Sequence, residues 1–296
     1  MRCSFPQRRV NKDDGSVVYH ACGNCKACRK RKQQEWSFRS YVESTYYSDS
    51  VFLTLTYCDS FLPSNGSLVK DEIARFMKRL RKLTGKKLRY FGSGEYGEQK
   101  HRPHYHVIVF GLSLDDPVFY AKYYSQKSKG YWCYCKAWQS KLSTGDKFPT
   151  GEVFIGSVTP GTCNYCAKYL CKRLTGKLAK EFYEKYGIVP EFSAMSRRPG
   201  LGLQYLLDNY DLIKKRGYVM LKGHKIPLSV YYINKLFEES TDEREEFKME
   251  RQKSYAQSYD DFFAKRNIGE YSKAEYMKMW LEQQEINLTK QLEVYK

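Results

Sequence analysis

The chain has 296 residues, a formal charge of +18, ten cysteines and 27 tyrosines. A charge so far from neutral excludes an indifferent surface and implies a polyanionic partner. No apolar run approaches the length of a membrane-spanning helix and the basic start holds no apolar leader core, so a soluble, cytoplasmic protein without membrane contact is expected.

The charge is uneven. Residues 1–237 hold 41 Lys and Arg against 19 Asp and Glu, whereas residues 238–296 hold 10 against 14. The first part is expected to face nucleic acid, with some aromatic rings stacking on unpaired bases and most serving as half-buried sheet residues. Ten cysteines in a cytosolic chain favour metal ligands over disulfides.

In chain order, Cys22, Cys25 and Cys28 come first, with Cys3 upstream. This spacing suits tetrahedral zinc, and four thiolates leave no open position, so the site would be structural. A run of three also matches iron–sulfur ligation; zinc is favoured because no redox step is otherwise needed. The site would anchor a basic helix over Ala27–Ser44 and set Arg29, Lys30, Arg31 and Lys32 against DNA. VFLTLTY (Val51–Tyr57) reads as a strand. Val51, Leu53, Leu55 and Tyr57 pack, and Thr54 and Thr56 face the site or the DNA backbone. Ser67 is expected to cap a helix with Val69, Ile73, Phe76, Met77, Leu80 and Leu83 as its apolar stripe.

Two strands follow, Lys87–Phe91 and His104–Phe110. His104 and His106 lie two apart on a strand, so their imidazoles share a face. Glu95, nine residues upstream across a polar turn, would come alongside in a hairpin. Two imidazoles and a carboxylate with open positions suit a divalent ion, Mg²⁺ or Mn²⁺, that also takes a phosphate oxygen. Gly92–Gly97 matches G-x-G-x-x-G, but a strand and not a helix follows, so the dinucleotide-binding reading fails.

An aromatic helical stretch is expected near Pro117–Tyr124, a strand at Val153–Val158, and a helix from Thr162 to Leu174. On that helix Tyr165, Lys168, Tyr169 and Lys172 share one face, with Ala167, Leu170, Cys171 and Leu174 opposite. Two outward tyrosines beside lysines are candidate nucleophiles, since a neighbouring ammonium and a metal-polarised phosphate would make phenol attack feasible. Cys133, Cys135, Cys163 and Cys166 offer a second metal site, with buried core cysteines as the alternative. The order β-α-β-β-α-β predicts an α+β chain, a ferredoxin/RRM-like antiparallel sheet with helices on one face. The expected divisions are a zinc module and basic helix at 1–45, the core at 46–180, an accessory segment at 181–237, and a charged helical tail at 238–296.

The series VFLTLTY, RPHYHVIVFG and YCAKYLCKR resembles the three motifs of HUH replication initiators. The paired tyrosines resemble the two-tyrosine initiators of small single-stranded DNA phages. The cysteine-rich start, the link from GEYG to HRPHYH, and MSRRPGLG with Arg197 and Arg198 resemble the gokushovirus branch of the microviruses. The likeness covers residues 1–237. It implies a HUH endonuclease fold and attack on origin DNA by Tyr165 or Tyr169. The products would be a 5′-phosphotyrosine and a free 3′-OH for rolling-circle replication. No P-loop motif is present, so a host helicase and polymerase are implied partners. The competing reading is a non-catalytic zinc protein that binds single-stranded nucleic acid by stacking.

Overall fold

A computed structural model describes residues 3, 6–10, 12, 15–97, 100–169, 177–238, 241–280 and 282–283. The cysteine region opens with a hairpin, β1 (Gln7–Val10) and β2 (Val17–His20), and runs into α1 (Lys26–Ser44). Next come β3 (Ser50–Leu55), α2 (Glu72–Thr84), β4 (Arg89–Tyr96) and β5 (Pro103–Phe110). Strands β6 (Phe119–Ser125) and β7 (Gly130–Cys135) follow, then a small hairpin of β8 (Gln139–Lys141) and β9 (Lys147–Pro149), and then β10 (Val153–Ser157) and α3 (Pro160–Lys168). The remainder holds α4 (Lys177–Tyr186), β11 (Phe192–Met195), α5 (Leu203–Asp208), α6 (Tyr210–Arg216), β12 (Tyr218–Leu221), β13 (His224–Pro227), α7 (Val230–Leu236) and α8 (Thr241–Ala264).

Seven strands make one antiparallel sheet in the order β11-β4-β5-β3-β10-β7-β6. Its central strands, β4-β5-β3-β10, stand in the split βαβ order, so the expected α+β class holds. Two details differ from expectation. The stretch 117–124 is the strand β6 and not a helix, because Phe119 and Tyr120 pair with Cys135 and Tyr134 across a ladder that suits aromatic residues. The helices also lie on both faces. On one face α2 buries Ile73, Phe76, Met77 and Leu80 against Val51, Leu53, Leu55, Tyr105 and Val107. On the other, α1 and α3 cover Phe52, Phe91, Ile108 and Phe110.

Local chemistry sets the helix ends. Gly85 closes α2 in the left-handed region, where a Cβ would be strained. Ser67 does not cap α2. Its hydroxyl accepts from the Val189 amide at 2.9 Å and donates to the Leu68 carbonyl, and the helix begins only at Glu72. Leu83 is exposed, because at about 100° per residue it falls roughly 80° off the Ile73 direction.

Helix α1 serves two cores. Trp36 stacks on Phe91 with centroids 5.3 Å apart, while Phe38 and Val42 pack with Leu206, Ile213 and Tyr232. Buried Arg39 donates to the Leu201 carbonyl at 3.0 Å and lies 4.4 Å from the Trp36 and Tyr231 ring centres. Buried Glu43 accepts from the Gly202 amide and pairs with Arg89. The loop carrying Arg197 and Arg198 is thereby fastened to α1 and β4. No helix among the described residues is long and apolar enough to cross a membrane.

Candidate active site

The β4–β5 register sets Glu95 opposite His104 and Ser93 opposite His106. Residues opposite one another share a face, so the carboxylate and both imidazoles meet on the α3 side. Buried His106 is held at both ring nitrogens, with Nε2 2.9 Å from Glu95 Oε1 and Nδ1 3.0 Å from Thr54 Oγ1. It is also held on both faces, by Phe52 (centroids 5.8 Å, planes 10° apart) and Tyr169 (4.8 Å, 12°). Burial lowers the His104 pKa from the ordinary value, and the His106 charge adds to this. His104 is therefore poised as a neutral donor, the form that binds metal.

As a divalent-metal centre this set has the right donors on one face. Glu95 and His106 are hydrogen-bonded directly to each other, so an entering cation would take the place of that bond. Among the described residues, the only close group of three or more His, Cys, Asp or Glu ligand atoms is the cysteine cluster.

Helix α3 begins with a capping box, Thr159 and Thr162 each bonding the other's amide, and Pro160 starts the first turn. Its buried side is Cys163, Cys166 and Ala167. Tyr165 is 43% exposed and stands edge-on to His106 at 5.1 Å. Tyr169 corrects the expectation of two outward phenols, because it is only 4% exposed. Four residues advance a helix by about 400°, which turns Tyr169 roughly 40° from Tyr165 towards the Cys166 side. Burial first, then the Tyr165 phenol and the Glu95 carboxylate, push the Tyr169 phenol well above its usual pKa. Lys168 is exposed on the last turn. Lys172, Leu170, Cys171 and Leu174 lie outside the described residues.

The four N-terminal cysteines converge. The Sγ atoms of Cys3, Cys22, Cys25 and Cys28 all lie within 4.8 Å of one another, with Cys3–Cys25 and Cys22–Cys28 at 4.0 Å. Thiolates about 2.3 Å from one tetrahedral ion stand roughly 3.8 Å apart, so the set fits a single metal such as zinc. A polynuclear cluster would hold its thiolates further apart. The Cys22 thiol, chiefly, drives Cys25 well below and Cys28 well above the ordinary thiol pKa, as in a cluster short of protons. The suggested second site does not form. Cys133 and Cys135 belong to the α2-side core, and Cys163 and Cys166 to the opposite one.

Several residues expected at the DNA have protein partners. Thr54 bonds His106, and Thr56 donates to the Glu152 carbonyl at 2.8 Å. Arg31 donates to the Tyr255 hydroxyl of α8 at 2.7 Å, and Arg29 to the Asn24 carbonyl. Lys30 is half-buried, whereas Lys32, Arg197 and Arg198 are exposed. The Arg197–Arg198 turn sits by Tyr90, which accepts from the Ser196 amide. Five residues of β4, about 17 Å at strand spacing, separate it from Glu95.

A family model described as replication-associated protein ORF2 matches residues 50–174. The chain is also 30% identical over 237 residues to the replication-associated protein VP4 of Bdellovibrio phage phiMH2K, an alignment covering 77% of this chain and 70% of that one. The chain belongs to the phage replication-associated protein family. It is 34% identical over 214 residues to the replication-associated protein ORF2 of Spiroplasma virus 4, covering 69% of this chain and 62% of that one. With the replication-associated protein ORF4 of Chlamydia phage 1 it shares 31% identity over 156 residues, 51% of this chain and 38% of that one. No solved structure matches.

In this replication-associated protein the family match encloses Thr54, Glu95, His104, His106, Tyr165 and Tyr169. The cysteine cluster and α8 lie outside it. Sequence reasoning missed the ring sandwich around His106, because it depends on how Phe52 and Tyr169 close over the sheet. The Thr54–His106 bond had a usable signal, since alternation already put both residues on site-facing strand positions.

Proposed function

We propose that the chain is a HUH-type endonuclease that nicks and rejoins single-stranded origin DNA to start rolling-circle replication of a phage genome. The observation that carries this is the exposed Tyr165 phenol edge-on to His106, itself paired with Glu95, in a member of a phage replication family. Glu95, His104 and His106 would hold Mg²⁺ or Mn²⁺, which supplies a Lewis acid for one phosphate oxygen. The Tyr165 oxygen forms a bond to phosphorus and the bond from phosphorus to the 3′ oxygen breaks. The result is a 5′-phosphotyrosine and a 3′-OH, with the phenol proton passing to solvent. Lys168, exposed on the same helix, offsets the charge that develops on the phosphate. Tyr169 serves the second cut.

The bond energy stays in the phosphotyrosine, so rejoining needs no nucleotide. Unwinding and synthesis fall to a host helicase and polymerase in the bacterial cytoplasm. Cys3, Cys22, Cys25 and Cys28 hold a structural zinc at the root of α1. The test is incubation with Mn²⁺ and labelled single-stranded origin DNA. A denaturation-resistant protein–DNA adduct is expected from the wild type and none from the Tyr165→Phe/Tyr169→Phe double variant. An adduct that persists in the double variant would place the nucleophile elsewhere. Tight DNA binding with no adduct at any metal concentration would favour a non-catalytic binding protein.

A further inference from the structure

One row of side chains crosses the sheet from its outer edge to the histidines. The register sets Tyr123 opposite Trp132, Trp132 opposite Phe154, Phe154 opposite Thr54, and Thr54 opposite His106. Opposite residues share a face, so all five stand on the α3 side. At about 4.8 Å per strand the row is roughly 19 Å long. Its inner end is the Thr54–His106 hydrogen bond and its outer part is aromatic.

Trp132 and Phe154 lie 5.5 Å apart and are half-buried, and Tyr123 is 53% exposed with its hydroxyl on Glu152. Helices α1 and α3 pack over β5, towards the other side of the sheet. Two glycines clear the space for Phe154. A Cβ at Gly130 would lie 2.5 Å from Phe154 Cζ, and one at Gly156 would lie 3.2 Å from Cε1. The ring therefore leans along the sheet over backbone that carries no side chain.

The surroundings are cationic. Residues 119–150 hold six lysines and one acidic residue, Asp146. Lys127 and Lys129 sit exposed in the turn between β6 and β7, next to Gly130. A purely structural sheet face needs no such cations. Accessible rings with flanking lysines match the stacking faces and phosphate contacts that hold unpaired nucleotides. In a duplex the base faces are already stacked, so these rings would have nothing to accept.

We propose that Tyr123, Trp132 and Phe154 form a base-stacking track that holds single-stranded DNA beside the site and leads it to Thr54 and His106. The direction of the track rests on the reading of His106 and Glu95 as the cutting site; the binding itself does not.

The test measures fluorescence anisotropy of labelled oligothymidylate with the full chain, without Mg²⁺ or Mn²⁺ so that no cleavage intervenes. Tyr123→Ala and Trp132→Leu should each weaken single-strand binding about five- to tenfold or more, with duplex affinity within about twofold. Tyr123→Phe keeps the ring and should bind like the wild type. Tyr123 lies at an exposed edge, so its alanine variant reports on the track even if Trp132→Leu fails to fold. Wild-type single-strand affinity in Tyr123→Ala, or an equal loss for duplex, would overturn the track even if the protein nicks DNA. Selective loss in a protein whose wild type never forms an adduct would keep the track and remove the nicking reading.

Discussion

Tyr169 lies flat on His106, centroids 4.8 Å apart and planes 12° apart. With Phe52 on the other face and Glu95 and Thr54 at the two nitrogens, the imidazole is fixed in position, tilt and rotation. Such pre-organisation is what a metal ligand needs and what a phosphate-gripping side chain does not. His106→Ala should therefore lower adduct formation at least about a hundredfold, while single-strand affinity changes less than about threefold. His104→Ala should act in the same direction. Glu95→Gln keeps one carbonyl oxygen and should raise the Mn²⁺ requirement without abolishing cleavage. Wild-type cleavage by His106→Ala at limiting Mn²⁺ would remove the histidine from the site.

Thr54 allows a finer test. Its hydroxyl is 3.0 Å from His106 Nδ1 and touches no other part of the proposed chemistry. Partners of this kind set the tautomer and the orientation of a ligating imidazole, and their loss costs about 10–100-fold in metal affinity. Thr54→Val keeps the shape and should raise the Mn²⁺ concentration for half-maximal cleavage by that range, whereas Thr54→Ser should restore it. An unchanged metal requirement in Thr54→Val would make the contact merely structural.

The strand-borne part of the site was legible because alternation is local. H-x-H on VFLTLTY's neighbour, with Glu95 across a short turn, left little freedom in where those groups could meet. The cysteine spacing was legible for the same reason. Tyr169 was not, since a 40° rotation at a helix end is decided by packing against His106 and not by the helix's own periodicity. The stretch 117–124 failed for a related reason. Its aromatic residues suit a helix face or a ladder, and only pairing with β7 decides between them. The tail offered no motif, yet Tyr255 and Tyr259 of α8 rest on Arg31 and Tyr19 of the cysteine region.

His104 gives a pH prediction. Burial lowers its pKa in the folded protein, and the neighbouring His106 charge adds to this. The unfolded chain then takes a proton near the ordinary value of about 6.5 that the folded chain refuses. Stability is thus full above that value and falls as the pH drops towards the lowered folded value. Protein dialysed free of Mg²⁺ and Mn²⁺ should lose Tm between about pH 7.5 and pH 5, and His104→Asn should flatten the slope. Equal slopes for both proteins would assign the effect to other groups.

The cysteine cluster should carry one zinc per chain by elemental analysis, with Cys25→Ser losing most of it. Metal binding and folding are coupled in sites of this size, and α8 leans on the module through Arg31–Tyr255 and Tyr19–Tyr259. Chelation should therefore expose α8 to limited proteolysis before the sheet is attacked. Iron in place of zinc, or a metal-free protein with α8 equally protected, would refute this.

The two tyrosines should divide the work unequally. Tyr165 is exposed and edge-on to His106, so an entering strand reaches its phenol without rearrangement. Tyr169 is buried on the same imidazole with its phenol pKa pushed up, chiefly by burial. Losing that proton costs more there, and a phosphate can reach it only if the end of α3 or the His106 stack shifts. An occupied Tyr165, drawn towards the DNA it is joined to, would leave the space for that shift, since the two rings are now in contact at 5.0 Å. Tyr165→Phe should therefore lose most first-cut adduct, at least about tenfold, yet retain some through Tyr169. Tyr169→Phe should keep the first cut near the wild-type rate and fail in joining, which needs a second nucleophile while the first is esterified. Mass spectrometry of the adduct peptide reads the assignment directly. Finding the wild-type DNA on Tyr169, with Tyr165→Phe unimpaired in the first cut, would reverse the order argued from exposure.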